Sequence, residues 1–566
     1  MNRALARLLA LALSFSLLCG AQSINNYIKH RFNAEEVEVS DIEGLQQRIR
    51  DGKLHLRLRD FLELMLKNSP DIQITRLDVY TAANQVTAAK APLDPTVGAQ
   101  FNALRSVSPL FFASGASGVN TVTPGQTGLG ASSAVNVILP ATISGLSQNS
   151  ILNYQQLLPT GQTFSANFSV IRSSGDGYPS PALFGALNFQ LIQPLWQNLT
   201  NLQFRAPLAI ARTQLLISSE TSEAAIADAV AAAARQYWDA ILARDNITVQ
   251  EQTVDLAQKS YEHDKKALDL GALAKLDIYQ SQSQVAERNR DLVQARYQYK
   301  VALDGLRRLI GADLTPALRE TDVVLDDDPS ALPPESAILP FEQALAEAMQ
   351  ARPEAKAAQQ RLSIDALNAR LARDQLKPQL NLSLQGGATG PGLNQITVGN
   401  GLGQVPNTPY PGLGPTLQQV LAFDFPSYGF GLQLNFPLRN STAQSALANS
   451  LVSKAHDQYQ KRQTQQQIIF DVRQALNSVE LAQATISAAI TARDLAQKNV
   501  EAEQQKYVLG SITAFELLDS QSRLANSQTA LLNAYVTYQE AYVNYQRATW
   551  TLLDGFGIIV ETPKVQ

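Results

Sequence analysis

Strict alternation of apolar and polar residues marks several short stretches of the chain. Tyr428, Phe430, Leu432, Leu434, Phe436 and Leu438 are apolar, while Gly429, Gly431, Gln433 and Asn435 between them are small or polar. Leu380, Leu382 and Leu384 alternate with Asn381, Ser383 and Gln385, and Leu187, Phe189 and Leu191 with Asn188 and Gln190. Phe164, Ala166, Phe168 and Val170 alternate with Ser165, Asn167 and Ser169, and Val97, Ala99, Phe101 and Ala103 form a weaker candidate. Period two with one apolar face predicts strands between two unlike environments.

Elsewhere the spacing changes to three and four. Ile469, Val472, Leu476, Val479, Ile486 and Ile490 follow coiled-coil spacing, interrupted at Gln483. Residues 205–270 hold no proline after Pro207, which is tolerated in a first helical turn, and 441–509 hold none. Ala, Gln, Leu and Arg dominate both, predicting two helices of roughly 100 Å. The returning segments 276–310 and 515–553 reach about 55 Å each, and the helices after Pro70 and Pro353 about 35 Å. One of each, set end to end, nearly matches a long helix, so each half predicts two antiparallel columns.

That plan occurs twice, over about 58–310 and about 341–553. Asp255-Leu256-Ala257-Gln258-Lys259 returns as Asp494-Leu495-Ala496-Gln497-Lys498. At the same offset Leu270-Gly271 returns as Leu509-Gly510, and Ser281-Gln282-Ser283 as Ser520-Gln521-Ser522. Between the halves, 311–340 is an acidic, Pro-rich linker expected to form an irregular belt at the middle of the columns. A plain solvated linker is the simpler alternative for its Asp326-Asp327-Asp328 run.

Charge sharpens the picture. Only Arg172 and Asp176 are charged between Arg105 and Arg205, and only Asp424 between Lys377 and Arg439. A soluble sheet would carry Lys, Glu and Thr on its wet face. Uncharged polar residues opposite an apolar face fit transmembrane barrel strands better. The connectors 110–149 and 386–423 are rich in Gly, Ser, Thr, Asn and Pro and read as surface loops. Gly399-Asn400-Gly401-Leu402-Gly403 lacks the βαβ frame of a nucleotide loop and reads as loop too. Arg3 and Arg7 before the apolar run 8–18 predict a signal peptide over 1–21, followed by a periplasmic segment 22–57; 554–566 is a C-terminal tail. Cys19, the only cysteine, raises lipid attachment, although Leu18 is not the small residue expected before it. Near-balanced charge argues against nucleic acid. His30, His55, His263 and His456 show no metal-ligand spacing, so no metal, cofactor or catalytic constellation is expected. Too few strands per chain to close a barrel imply that several chains pool them.

Together these elements resemble the outer membrane efflux protein family, typified by TolC-like channels. The most specific stretches are Phe61-Leu62-Glu63-Leu64-Met65-Leu66-Lys67-Asn68-Ser69-Pro70-Asp71-Ile72, continuing through Ala88-Ala89-Lys90-Ala91 to Pro95, and its second copy over 344–355. Gln193-Pro194-Leu195 and Phe436-Pro437-Leu438 are similar to the family's strand-to-helix junctions, and Leu270-Gly271 and Leu509-Gly510 to its periplasmic helix-tip turns. The resemblance implies a mainly α fold with membrane β structure. A homotrimer would pool twelve strands, four per chain, into one outer-membrane barrel continuing into a long periplasmic α-helical barrel. It implies as partners outer-membrane lipid, a periplasmic membrane-fusion adaptor at the tips, and an inner-membrane pump of RND or ABC type. One departure stands out. An additional pair near 152–158 and 164–170 either lies outside the barrel, the preferred expectation, or enlarges it.

The function expected is a passive exit duct of a tripartite efflux or type I secretion system. A trimeric coiled-coil spacer or adhesin without transport is the alternative, disfavoured because strands occur mid-chain twice and helices must double back. Gating is expected at the tips. Asp264, Asp269, Asp277 and Glu516, with Glu501, Glu503 and Asp519 nearby, are candidates for a lumen-facing carboxylate ring that selects cations.

Overall fold

The computed structural model describes residues 44–50, 52–109, 142–175, 182–270, 278–314, 321–391, 412–509 and 511–558, with 39, 42, 316 and 319 besides. The signal segment with Cys19, the 399–403 glycine run, Gly271, Asp277 and Gly510 lie outside the described residues. The chain divides into two units, Met1–Pro70 with Leu303–Asp326, and Asp71–Ala302 with Asp327–Gln566.

In the first unit, strand Lys53–Leu56 pairs antiparallel with Ile49–Arg50 and parallel with Asp322–Leu325. Helix α1 (Leu58–Asn68) buries Phe61, Leu62 and Met65, and Leu54, Leu56 and Leu325 are buried as well. Within 311–340, Asp322–Leu325 is thus a paired strand rather than irregular chain. Asp326 meets His55 Nδ1 at 3.2 Å. Within the second unit the Asp327 carboxylate accepts from Tyr237 at 2.9 Å, and that of Asp328 accepts from the Ser330 amide and hydroxyl. The acidic run is held by named partners, which a solvated linker would not be.

The second unit contains one six-stranded antiparallel sheet: β1 (Thr96–Pro109), β2 (Thr142–Leu157), β3 (Thr163–Gly175), β4 (Ala182–Pro194), β5 (Gln379–Gly390) and β6 (Phe425–Asn435), adjacent in that order. Paired residues in an antiparallel ladder share a face, so the register tests the alternation directly. One row across all six strands reads Val97, Tyr154, Ala166, Phe189, Gly386, Tyr428. The next row, on the other face, reads Gly98, Asn153, Asn167, Asn188, Gly387, Ser427. Through this part of the sheet one face is apolar and the other uncharged and polar, whereas farther from the helices Arg105 and Arg172 stand on the apolar side and Leu104, Ile171 and Phe184 on the polar one.

Strands β2 and β3 are the additional pair, and they are full members of the sheet, which overturns the expectation that they lie outside it. Their turn closes with Leu158 N–H donating to the Gln162 carbonyl, and Gly161, at φ +91°, lies against Asn201, where a Cβ would come within 2.9 Å. Asn201 in turn donates to the Pro159 carbonyl. The turn is thus seated where the first long helix begins. The expected loops are shorter than the sequence suggests: β2 begins at Thr142, β5 runs to Gly390, and a helix occupies Leu413–Ala422. Lack of charge concealed all three.

In chain order the remaining α-helices are α2 (Pro70–Ala88), α3 (Leu202–Asp269), α4 (Ile278–Leu309), α5 (Phe341–Ala351), α6 (Pro353–Asp374), α7 (Leu413–Ala422), α8 (Ser441–Val508), α9 (Ala514–Thr549) and a short α10 (Leu552–Phe556). The long helices α3 and α8 have 68 residues each, and the 1.5 Å rise makes them about 100 Å long. Helix α3 starts at Leu202, so Pro207 falls in its second turn rather than its first. Ser69 and Arg352, each before a proline, are extended and break α1 from α2 and α5 from α6. Helix α6 packs against both α3 and α8, and α9 does the same.

The α8 seam differs in detail from the predicted one. Buried are Ile468, Val472, Ala475, Val479, Ala482 and Ile486, a regular four-three repeat. Ile469 and Leu476 flank it, and the apparent break at Gln483 vanishes because Ala482 carries the seam. Alanines facing Ala534, Tyr538, Ala541 and Tyr545 of α9 make this a close-packed interface.

Candidate functional site

The sheet is the first candidate. Its edge strands β1 and β6 each leave one row of backbone donors and acceptors without a strand neighbour among the described residues. They are also where large apolar side chains stand most exposed: Val97 and Phe101 on β1, and Tyr428, Phe430, Leu432 and Leu434 on β6. Inside the sheet, Phe164 stacks on Phe189 and meets Tyr154 edge-on at 6.0 Å, forming an aromatic patch on the same apolar face. The opposite face is lined by Gln100, Asn102, Asn153, Asn167, Asn188, Gln190, Gln385 and Gln433, and Asn167 donates to Asn153 across β2 and β3. An apolar side facing lipid and a neutral polar side facing water is the wall of a membrane barrel. Pro194 is the last residue of β4, and Pro437 stands between β6 and the Asn440 that caps α8 by accepting from the Ala443 amide. Both prolines lie at strand-to-helix junctions. Missing their N–H groups, they end ladders at no cost in hydrogen bonds.

The helix tips are the second. Leu270 and Leu509 are 85% and 81% exposed, at the ends of α3 and α8. Asp269 is exposed beside Leu270. Asp264 is not. It is 2% exposed, and its two carboxylate oxygens accept from the Ser281 hydroxyl on α4 and the Tyr507 hydroxyl on α8. His263 is tilted against the Tyr507 ring, with centroids 5.1 Å apart. Burial, then the adjacent Asp264 carboxylate, push the Tyr507 phenol well above its ordinary range, so it stays a donor. The expected lumen-facing carboxylate ring therefore loses Asp264, because its charge is spent between helices. Glu516 is also engaged locally, forming a capping box with Thr513 at the start of α9. The Thr-x-x-Glu spacing carried that signal in the sequence.

Further polar pairs stitch the same end of the bundle. Gln521 donates to Ser260, Arg288 to Ser522, and Asn499 to Ser520, so the repeated Ser-Gln-Ser motif supplies cross-helix partners in both halves. In the register aligning Asp255 with Asp494, Tyr507 stands opposite Leu268 and Glu503 opposite Asp264. The two halves thus lock differently: Glu503 pairs with Lys506 at 3.0 Å, while Asp264 bridges the halves.

A third constellation, missed in the sequence, lies where α5 meets α6. Arg352 contacts Asp471 at 3.0 Å and Glu354 at 3.1 Å, and Arg547 contacts Glu354 at 2.8 Å and Asp228 at 2.5 Å. Burial raises the Glu354 carboxyl, but bonds from both arginines outweigh it and hold its pKa at about 2. These residues line an open cleft of about 530 Å³. They come from α3, α6, α8 and α9, too far apart in sequence to be paired by inspection. Farther along α9, Glu540 faces Asp239 of α3; burial and that neighbouring carboxyl raise it to about 7, against a partial offset from Arg235.

The sequence profile of the outer membrane efflux protein family matches residues 195–312 and 344–549. No curated protein sequence matches the chain. Among solved structures, the Campylobacter jejuni CmeC outer membrane channel superposes with a TM-score of 0.60 at 13% identity, covering 92% of this chain and 94% of that one. A membrane protein from Pseudomonas aeruginosa gives 0.59 at 17%, with 87% and 92% covered. The Vibrio cholerae outer membrane protein VceC gives 0.58 at 15%, with 87% and 95% covered.

Proposed function

Because this chain belongs to the outer membrane efflux protein family, we propose that three copies pool their sheets and helices into one exit duct. The family is one of channels, and the chain is an outer-membrane protein with a periplasmic helical extension. The observation that carries the assembly is the sheet itself. Its two open edges are forbidden in lipid, and β1 of one copy can satisfy them only by pairing with β6 of the next. The strands run as a meander of even number, so β1 and β6 are antiparallel and any ring of copies closes without a parallel joint.

Three sheets of six strands give eighteen, where the family resemblance implied twelve. Barrel diameter grows roughly linearly with strand number, so the outlet would be about half as wide again. The domain division follows the same plan: two repeats over 58–310 and 341–553, each contributing strands and helices, with 311–340 between them.

The tips supply the gate and the partner contact. Asp264 and Tyr507 join the first hairpin to the second, so their bond must break before the hairpins splay. Exposed Leu270 and Leu509 offer apolar contact to a periplasmic adaptor, and the adaptor in turn to an inner-membrane pump. Among the described residues Asp269, Glu501 and Asp519 remain as solvent-facing carboxylates of the set, with Glu516 exposed but engaged in its capping box. Cargo moves passively, since nothing in a wall of neutral amides supplies energy.

Reconstitution in planar bilayers tests the duct, which should conduct ions; a protein that inserts but never conducts would be a spacer. Cysteine scanning tests the assembly. Positions 99–101 on β1 paired with 432 and 433 on β6 should oxidise to a ladder ending at trimers, and a ladder ending at dimers or tetramers would overturn the stoichiometry.

A further inference from the structure

Helix α7 interrupts the connection between β5 and β6 and is seated against β4 and β5. Its seat is built. Gly185 and Gly390 are partners across β4 and β5, and a Cβ on either would collide with α7, at 2.7 Å from Thr416 Cγ2 and at 2.5 Å from the Thr416 carbonyl. Thr416 and Val420 are fully buried there, over Ala388, which is itself fully buried.

The register fixes which face of the sheet this is. Gly185 is on the face of Leu187, Phe189 and Leu191, and Gly390 on that of Leu382 and Leu384. That is the apolar face. The flank of α7 beside this seat presents Leu413 and Leu421, 53% and 69% exposed, with Leu417 between them in the same stripe, while the side opposite the seat carries only the uncharged Gly414, Gln418 and Ala422. No charge occurs from Leu413 to Phe423; the first is Asp424, immediately past the end of the helix. A helix with an apolar seat, an apolar flank and no charge on its outer side is poorly matched to water.

Position along the strands sets its depth. From Leu380 to Gly390 the chain climbs ten residues, which at the rise and tilt of barrel strands is about 25 Å, the height of the apolar band. Helix α7 lies at the far end of that climb, away from the long helices.

We propose that α7 lies outside the barrel, against the outer leaflet, with Leu413, Leu417 and Leu421 in the lipid acyl chains. Repeated in each copy, it forms a helical collar continuous with the lipid-facing wall. The proposal rests on the apolar face of the sheet being the lipid face.

Site-directed spin labelling in liposomes tests both, starting from a variant in which Cys19 is replaced. Labels at Leu421→Cys and Leu413→Cys should be accessible to oxygen and shielded from a water-soluble nickel chelate, matching Phe430→Cys on the sheet and opposing Gln433→Cys on its polar face. If the label at 430 reads lipid while those at 413 and 421 read water, α7 projects into solvent and the collar is overturned. If the label at 430 also reads water, the lipid-face assignment fails first, and the collar with it.

Discussion

Asp264 shows how much one side chain can decide. A carboxylate 2% exposed is tolerable only while its oxygens are occupied, and Ser281 and Tyr507 occupy them. Replacing Tyr507 by Phe removes a charge-assisted bond worth about 1.5–3 kcal/mol per chain while keeping the ring. We expect Tyr507→Phe to raise single-channel conductance several-fold with little change in ion selectivity. Asp264→Asn should act in the same direction. A shift in cation preference without a conductance change would return Asp264 to a lumen ring.

Two other residues make predictions of opposite sign. Arg547 closes a network whose carboxylates are only partly buried, so Arg547→Ala should cost about 2–3 kcal/mol, less than the ~3–5 of a fully buried pair, read as a lowered unfolding midpoint. Glu540, raised to about 7 in the folded chain against 4.5 unfolded, favours its protonated form there. Its stabilising contribution is complete below pH 4.5 and is lost as pH rises through about 7. Glu540→Gln should match the parent near pH ~4 and exceed it in stability at pH ~8. Glu354, held at about 2, runs the other way: its contribution is present above 4.5 and lost only as pH falls toward 2.

At the level of elements, the strands and the long helices were legible because their signals are local. Alternation over a dozen residues and the absence of proline over sixty need no knowledge of what packs against what. The α8 seam was only half legible. Scanning for large apolar residues chose Ile469 and Leu476, whereas the close-packed seam uses Ile468, Ala475 and Ala482, which only the neighbouring α9 reveals. Helix α7 was hidden by its composition, since a short uncharged stretch between glycines reads as loop. The partnership of Asp264 with Tyr507 was beyond reach, being made across two hairpins. The joint between the halves rests on β4 against β5, where Gly387 approaches Leu187 so closely that a Cβ would meet its carbonyl at 2.4 Å. Gly387→Val should therefore split the sheet at that seam. Lost protease protection of the strands in isolated outer membranes, with α3 and α8 still helical by circular dichroism, is the expected result.

For the whole molecule, the proposed assembly would join two dissimilar conduits in line. The helical shaft draws on long and broken columns from both repeats, as the family plan has it, while the strand wall carries a hairpin more per chain than that plan implies. Ion flow through such a device obeys the rule for resistors in series: the long, narrow member sets the current, and a flared mouth adds almost nothing. Excising the β2–β3 hairpin would then shrink the mouth yet leave the measured current nearly unchanged, and its effect would surface only with cargo too bulky for the narrower rim. Selection on that hairpin would accordingly concern the girth of what leaves the cell, whereas the speed of leaving is decided at the distant end of the shaft.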